Sequence, residues 1–482
     1  MIGPLDLMTN RLNPYRRPNL CHGIFSSGLV CALLLSGATQ VQTSSPSMQP
    51  PGGIIRRELF MPSPKPGTAV LANTYYTRPS GSELISMHEL MSRSDTTDVA
   101  FFRFSKDNGR TWTAGEEIRT EERRPQGKLR RMLRGACVDP HTGRFLRFRI
   151  EGVLPTDDPL EGMKQWVVFY SASMDGGLTW YLDEQIIQKG AAFSPTHPMP
   201  GVQTGRTCVM IGDAASGPLI LDDGTILLPV IITPAGPDGH YYNPGGGYTY
   251  TDAAVLHGRW AANGRHLEWE LSELVKADPE LSTRGMDEPA LAELADGRLL
   301  MVLRGSNDKK PALPSRRWVA YSSDRGRTWT KPAPWTYEGG GDFFSPSSCS
   351  QLLTHSSGRI FWLGNITENN PSGNRPRYPF VVGEVDRRTG LLRRESVRIV
   401  DDRRPGDSLD LSLSNFTARE NRASGEIVLH LSRLFQNSKS EMRNWTSDAY
   451  VYHIPINEAD LGVKPQPIAD RAAASYSPTH PQ

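Results

Sequence analysis

Long apolar runs are almost missing from this chain. The one candidate, "IFSSGLVCALLLSGA" at 24–38, is short for a comfortable membrane span, and no other segment approaches that length. It follows the basic "NPYRRPNLCHG" and precedes the polar "TQVQTSSPSMQPPGG". Basic, then apolar, then small is the order of a secretory signal. Residues 1–40 are therefore expected to be a signal peptide and 41–53 a flexible linker; an uncleaved N-terminal anchor is the alternative. The mature protein is expected to be secreted, periplasmic or extracellular, with no stable membrane insertion. Charge of one sign is also lacking: 54 Lys and Arg face 52 Asp and Glu, a net +2, so nothing points to nucleic acid. Cysteine is scarce. Of five, Cys21 and Cys31 lie in the N-terminal segment, and Cys137, Cys208 and Cys349 show no C-x-x-C or histidine spacing. A metal site is not expected, at most one internal disulfide can form, and the three thiols read as small buried apolar groups. No cofactor is expected.

What the chain has instead is punctuation. Its 45 glycines and 38 prolines fall between short apolar runs, which favours many short strands joined by turns. A polar turn ending in glycine precedes an apolar strand six times: near Gly81, Gly143, Gly224, Gly297, Gly358 and Gly425, at intervals of 61 to 81 residues. Such a period is too long for a helical solenoid and fits one four-stranded blade per repeat, so an all-β, six-bladed β-propeller is expected over 54–456. The strand "IIRRELF" is expected to complete the blade that ends "DAYVYHIPI", and 457–482 to be a disordered tail. A second phrase, S-x-D-x-G-x-T-W, occurs as "SKDNGRTW" at 105–112, "SMDGGLTW" at 173–180 and "SSDRGRTW" at 322–329, with a degraded copy, "ANGRHLEW", at 262–269. Its Asp and Ser can bond the turn's own amides while Trp packs into the blade, so the phrase reads as scaffold on the outer hairpins.

These three Asp-boxes resemble those of the sialidase (neuraminidase) superfamily, also called BNR-repeat proteins. The resemblance covers roughly 54–456 and implies a glycan-acting enzyme, a sialidase-like exo-glycosidase. In "MDEPALAELADGRLLMVLRG" it places Glu288 and Arg304 at the central pocket. The residues themselves agree: Glu288 begins one strand and Arg304 ends its antiparallel neighbour, so both charges lie at one end of the blade. In "RIFWLGNITENNPSGNRPRYPFVVGEVD" it points to Arg377, with Arg375 two residues away as the alternative. Two arginines there suit the carboxylate of a sugar acid. The first-blade segment "HELMSRSDTTDVAFF" offers Asp95 as the carboxylic acid/base.

The resemblance also has gaps. The family's first-blade arginine is replaced by Leu71, and its last-blade nucleophilic tyrosine by Leu413 or Ser414. A replacement is expected from the long aromatic loop "TPAGPDGHYYNPGGGYTYTD", where His240, Tyr241, Tyr242 and Tyr248 could stack on a sugar or move protons. Glu288, Asp95, Tyr241 and Tyr242 are thus the catalytic candidates, and Arg304, Arg377, Arg375 and His240 the substrate-binding ones. The partner is expected to be a carbohydrate whose terminal sugar is acidic. A glycan-binding propeller without turnover, and a propeller lyase acting on uronic-acid glycans, are the alternatives.

Overall fold

The computed structural model of the chain describes residues 53–438 and 444–456; the expected signal peptide, nearly all of the linker and the C-terminal tail lie outside the described residues. Six separate antiparallel sheets follow one another along the chain. The first strands of blades one, two, four, five and six are Ala69–Tyr76, Gly127–Val138, Asp287–Glu293, Gln351–Thr354 and Ser412–Glu420. In blade three the innermost strand is broken into Val209–Met210 and Leu219–Ile220, both paired with Ile226–Ile232. Each inner edge packs against the next blade, and Ala69–Tyr76 packs against Ser412–Glu420, so the ring closes. The expected six-bladed propeller is what the chain forms. Among the described residues, helix is confined to single turns at Pro159–Glu161, Gly162–Gln165 and Arg394–Ser396.

Closure uses both ends of the described chain. Arg56–Met61 forms the outermost strand of the last blade, with Arg56 opposite His453 and Met61 opposite Ala449. Apolar residues of successive blades interlock face to face: Phe148, Tyr170 and Trp269 between blades two and three, and Trp335 with Trp362 between blades four and five. This burial of flat apolar faces is the main stabilising term of such a fold.

All six turn glycines have positive φ, between 70° and 91°, as a two-strand turn of this kind requires. The Asp-boxes lie between the third and fourth strands of blades one, two and four. In the second, Asp175 accepts from Thr179 N at 2.8 Å and Thr179 Oγ1 at 2.6 Å, and Ser173 Oγ accepts from Gly177 N at 2.8 Å. These bonds hold Asp175 ionised well below the usual carboxylate range, its carboxyl lowered to about 2 by Thr179. The box is internally bonded turn chemistry, at the outer rim of each blade.

Three inner strands carry a two-residue bulge: Arg134-Gly135, Glu288-Pro289 and Ser414-Asn415. Each contains a residue with positive φ, at Gly135, Glu288 and Asn415. A bulge re-aims side chains, and here it turns Glu288 and Asn415 toward the axis, where both line one cavity.

Candidate functional site

That cavity, of about 600 Å³, sits on the axis at the end opposite the glycine turns. Asp287 pairs across the strands with Arg304, so the start of one strand and the end of the next meet there. Arg304 donates from Nη1 to Glu288 Oε1 at 2.5 Å and from Nε to Ser347 Oγ at 2.8 Å. Arg377 donates from Nη2 to the Ser347 carbonyl at 2.8 Å. One serine thus holds two guanidinium groups side by side. The Nε–H of Arg377 and Oε2 of Glu288 are buried without a partner among the described residues. Behind them Arg317 is fully buried and donates to Ser345 Oγ at 3.0 Å and Ser348 Oγ at 2.9 Å. The serine-rich "SPSSCS", 345–350, is therefore the seat of three arginines.

The sequence candidates divide cleanly. Glu288, Arg304, Arg377, Arg375 and Asp95 all line the cavity. Arg375 is at its rim, with its guanidinium against Asp410 and half its side chain exposed. Arg377 forms no close ion pair among the described residues, although the charge of Glu288 acts on it, and its Nε–H is left open to a ligand. Asp95 is exposed at the rim, bonded by Ser94 Oγ at 2.7 Å. His240, Tyr241 and Tyr242 do not line the cavity, and this corrects the reading of that loop. His240 is exposed on a tight turn, with its amide donating to Asp238 Oδ1 at 3.0 Å. Tyr241 Oη accepts from Tyr250 N at 2.7 Å and is part of the loop's own packing. Tyr242 is 51% exposed. The tyrosine that does reach the cavity is Tyr248, whose ring lies 5.8 Å from the Arg284 guanidinium.

Several cavity residues were not singled out from the sequence. Asp213 projects from the interruption in the blade-three inner strand and accepts from Asn415 Nδ2 at 2.7 Å. Burial, then the charge of Glu288, push its carboxyl up to about 6. Glu288 moves the other way: burial opposes its ionisation, but the charge and hydrogen bond of Arg304 outweigh that and hold it below its usual range. Asp287 is raised, chiefly by burial. Arg377 is lowered to about 10 by burial and by the charge of Arg304. Arg284 is also buried, 3.7 Å from Asp287. Cys349, expected to be a plain core thiol, also lines the cavity; burial and Asp213 push it up to about 12, so it stays protonated. At the position of the missing tyrosine, Leu413 is buried in the core and Ser414 Oγ lies 3.4 Å from Cys349 Sγ. Leu71 also faces the cavity, beside Met91, Leu434, Phe435 and Trp445. No group of three or more His, Cys, Asp or Glu among the described residues is placed to hold a metal ion. No helix among them is long and apolar enough to cross a membrane.

The family described as "BNR repeat-like domain" matches residues 188–408. Solved structures with the same architecture include a protein of unknown function from Dyadobacter fermentans, at 15% identity, with 84% of this chain and 100% of that one covered and a TM-score of 0.51. They also include the Hadza microbial sialidase Hz136, at 13% identity, 81% and 66% coverage and TM-score 0.51. A third is the Trypanosoma rangeli sialidase, at 12%, 83% and 59%, with TM-score 0.50. The chain has the sialidase-type propeller fold, and part of it matches a BNR repeat-like domain. The chain spans two-thirds or less of the two sialidases' own length, 66% and 59%. No curated protein matches it in sequence. At such identities the likeness is one of fold, so what the cavity does has to be argued from its own residues.

Proposed function

We propose that the protein is a glycan-acting hydrolase that releases a terminal acidic sugar. The observation that carries this reading is the pair Arg304 and Arg377 seated on Ser347, with the Nε–H of Arg377 buried and unpaired. A buried guanidinium N–H without an acceptor is costly, and a ligand carboxylate would supply that acceptor together with a matching charge. Beside it are two carboxyl groups whose environments move their pKa values apart, the pattern expected of an acid and a base. Asp213, protonated up to about pH 6, would donate its proton to the glycosidic oxygen as that bond breaks. Ionised Glu288 would take a proton from the water that attacks the anomeric carbon, and the hydroxide equivalent ends on the released sugar. Water replaces the tyrosine nucleophile, because Leu413 and Ser414 offer no phenol. Asp95 and Tyr248 stand at the rim, where the leaving group would exit.

That same replacement favours a second reading, a glycan-binding propeller without turnover. The lyase variant is weakened, since His240, Tyr241 and Tyr242 lie away from the cavity. Release of reducing sugar from glycosides ending in sialic, glucuronic and galacturonic acid separates the readings. Wild type is expected to release one of them slowly, Glu288→Gln to lose turnover but retain binding, and Arg304→Ala to lose both. Binding by wild type without release would leave the non-catalytic reading standing. Binding that survives Arg304→Ala unchanged would remove the carboxylate site itself. Secretion belongs to the same proposal: mass spectrometry of exported protein is expected to find a new N-terminus within 38–48, and an intact Met1 would point to an anchor instead.

A further inference from the structure

The interruption in the blade-three inner strand carries the chain between Met210 and Leu219 toward the opposite side of the ring. Ala215 is buried in the apolar cluster that holds Leu413 and Phe416 of blade six. A Cβ on Gly135 of blade two would meet the Ala214 carbonyl oxygen at 3.7 Å. Asp213, in this crossing, interacts with a titratable group from each of four other blades: Tyr75 of blade one, Arg134 of blade two, Glu288 of blade four and Cys349 of blade five. Gly212 makes the approach to blade four possible, since a Cβ there would come within 2.6 Å of Glu288 Cγ and 3.7 Å of Asp287 Oδ1.

From blade six comes an uncharged partner. Asn415, one residue past Ser414 and 202 positions from Asp213, donates from Nδ2 to Asp213 Oδ2 at 2.7 Å. The other oxygen, Oδ1, accepts from Ala215 N at 3.1 Å. One donor on each oxygen, from opposite blades, fixes the plane of the carboxyl group. Asn415 holds φ at 61°, which asparagine tolerates better than most residues, and its own amide donates to Cys349 Sγ at 3.3 Å. The bulge is thereby held in the conformation that aims Asn415 across the axis. An N–H donated to a carboxylate favours the ionised form, so Asn415 opposes the burial that raises Asp213. We propose that Asn415 is a positioning residue for Asp213, holding its carboxyl group in one plane and easing the release of its proton. The inference rests on the hydrolase reading above and adds a residue that acts through the acid.

The pH profile of turnover by the full mature chain, on the same three classes of glycoside, tests it. Wild-type kcat is expected to fall as pH rises above about 6. Asn415→Gly removes the side-chain donor while glycine accepts the positive φ. Its falling limb is expected to move up by about one pH unit, the worth of one hydrogen bond to a charged group. Below that limb its kcat is expected to be about tenfold lower or less, with KM little changed. Asn415→Asp keeps the size but puts a carboxyl group where the donor was, and is expected to move the limb up further. Thermal melts show whether each variant folds, and the aspartate variant carries the test if the glycine variant does not. A limb that stays in place or moves down in a folded variant, whatever its rate, would overturn this inference and leave the hydrolase reading intact. Loss of the fold in both variants would make Asn415 a structural residue and overturn the inference as well. No release of any of the three sugars by wild type would overturn both.

Discussion

Asp213 shows how far a single side chain can be displaced from its ordinary behaviour by its surroundings. Unfolded it titrates near 3.8, and folded near 6. Its neutral form therefore contributes stability that is fully present below pH 4 and is lost as pH rises through about 6, on the order of 1–3 kcal/mol. Asp213→Asn is expected to be more stable than wild type at pH 8 and to lose that advantage by pH 4. Denaturant melts of the two proteins across that range check it, and parallel curves would contradict the shift. The comparison must be between proteins, because Asp252, also pushed up to about 6 by burial, titrates in the same window in both. If Asp213 is the acid, the rate also falls as pH rises above about 6. Nothing in "IGDAASG" announces any of this. Glu288 and Arg304 could be placed because one begins and the other ends the two strands that flank a recognisable turn. Asp213 sits where a strand is interrupted, and its shift comes from burial in the assembled ring and then from Glu288, which is remote in the chain. The buried serines of "SPSSCS" read as loop for the same reason: their partners, three arginines, come from other strands.

Loops and turns make a different kind of claim. The Asp-box was legible down to its bonds, since every partner lies within eight residues. Asp175→Ala is expected to lower Tm by a few degrees, through loss of the bonds to Thr179 and Ser173, with ligand affinity unchanged. An altered affinity with an unchanged melt would reverse the assignment of the box as scaffold. The 233–252 loop is the opposite case. Its aromatic content was plain, but composition does not say which ring of a long loop faces the axis. The answer lies in close backbone approach: a Cβ on Gly245 would come within 2.3 Å of the Thr283 carbonyl oxygen, and one on Gly247 within 2.5 Å. These glycines let the loop lie flat on its neighbour and carry Tyr248 to the rim, leaving His240, Tyr241 and Tyr242 outside. Gly245→Ala is expected to lift the loop and weaken ligand binding several-fold. Calorimetry on the variant reads this directly, and unaltered affinity would mean that Tyr248 does not contact ligand.

For the molecule as a whole, blade number and order followed from six evenly spaced turns, because a ring of like units repeats its punctuation. What the repeats could not convey is how the units differ at the axis, and the bulges at Arg134-Gly135, Glu288-Pro289 and Ser414-Asn415 are such differences. Stability rests on closure of the ring. Removing residues 53–61 exposes the Ala449–Ile454 strand as a bare edge. That truncation is expected to unfold at markedly lower denaturant and to associate with itself, as light scattering would show; a monomer with the full-length melting profile would mean that closure contributes little. The seam also has a consequence in time. Arg56–Met61 is among the first stretches of the propeller to be made, and its partner, Ala449–Ile454, is the last. At about 5–20 residues per second, the early strand waits on the order of tens of seconds for its mate. Throughout that interval five blades can collapse in order while the sixth cannot exist, and the first-made strand has to stay unpaired, available to any other edge that it meets.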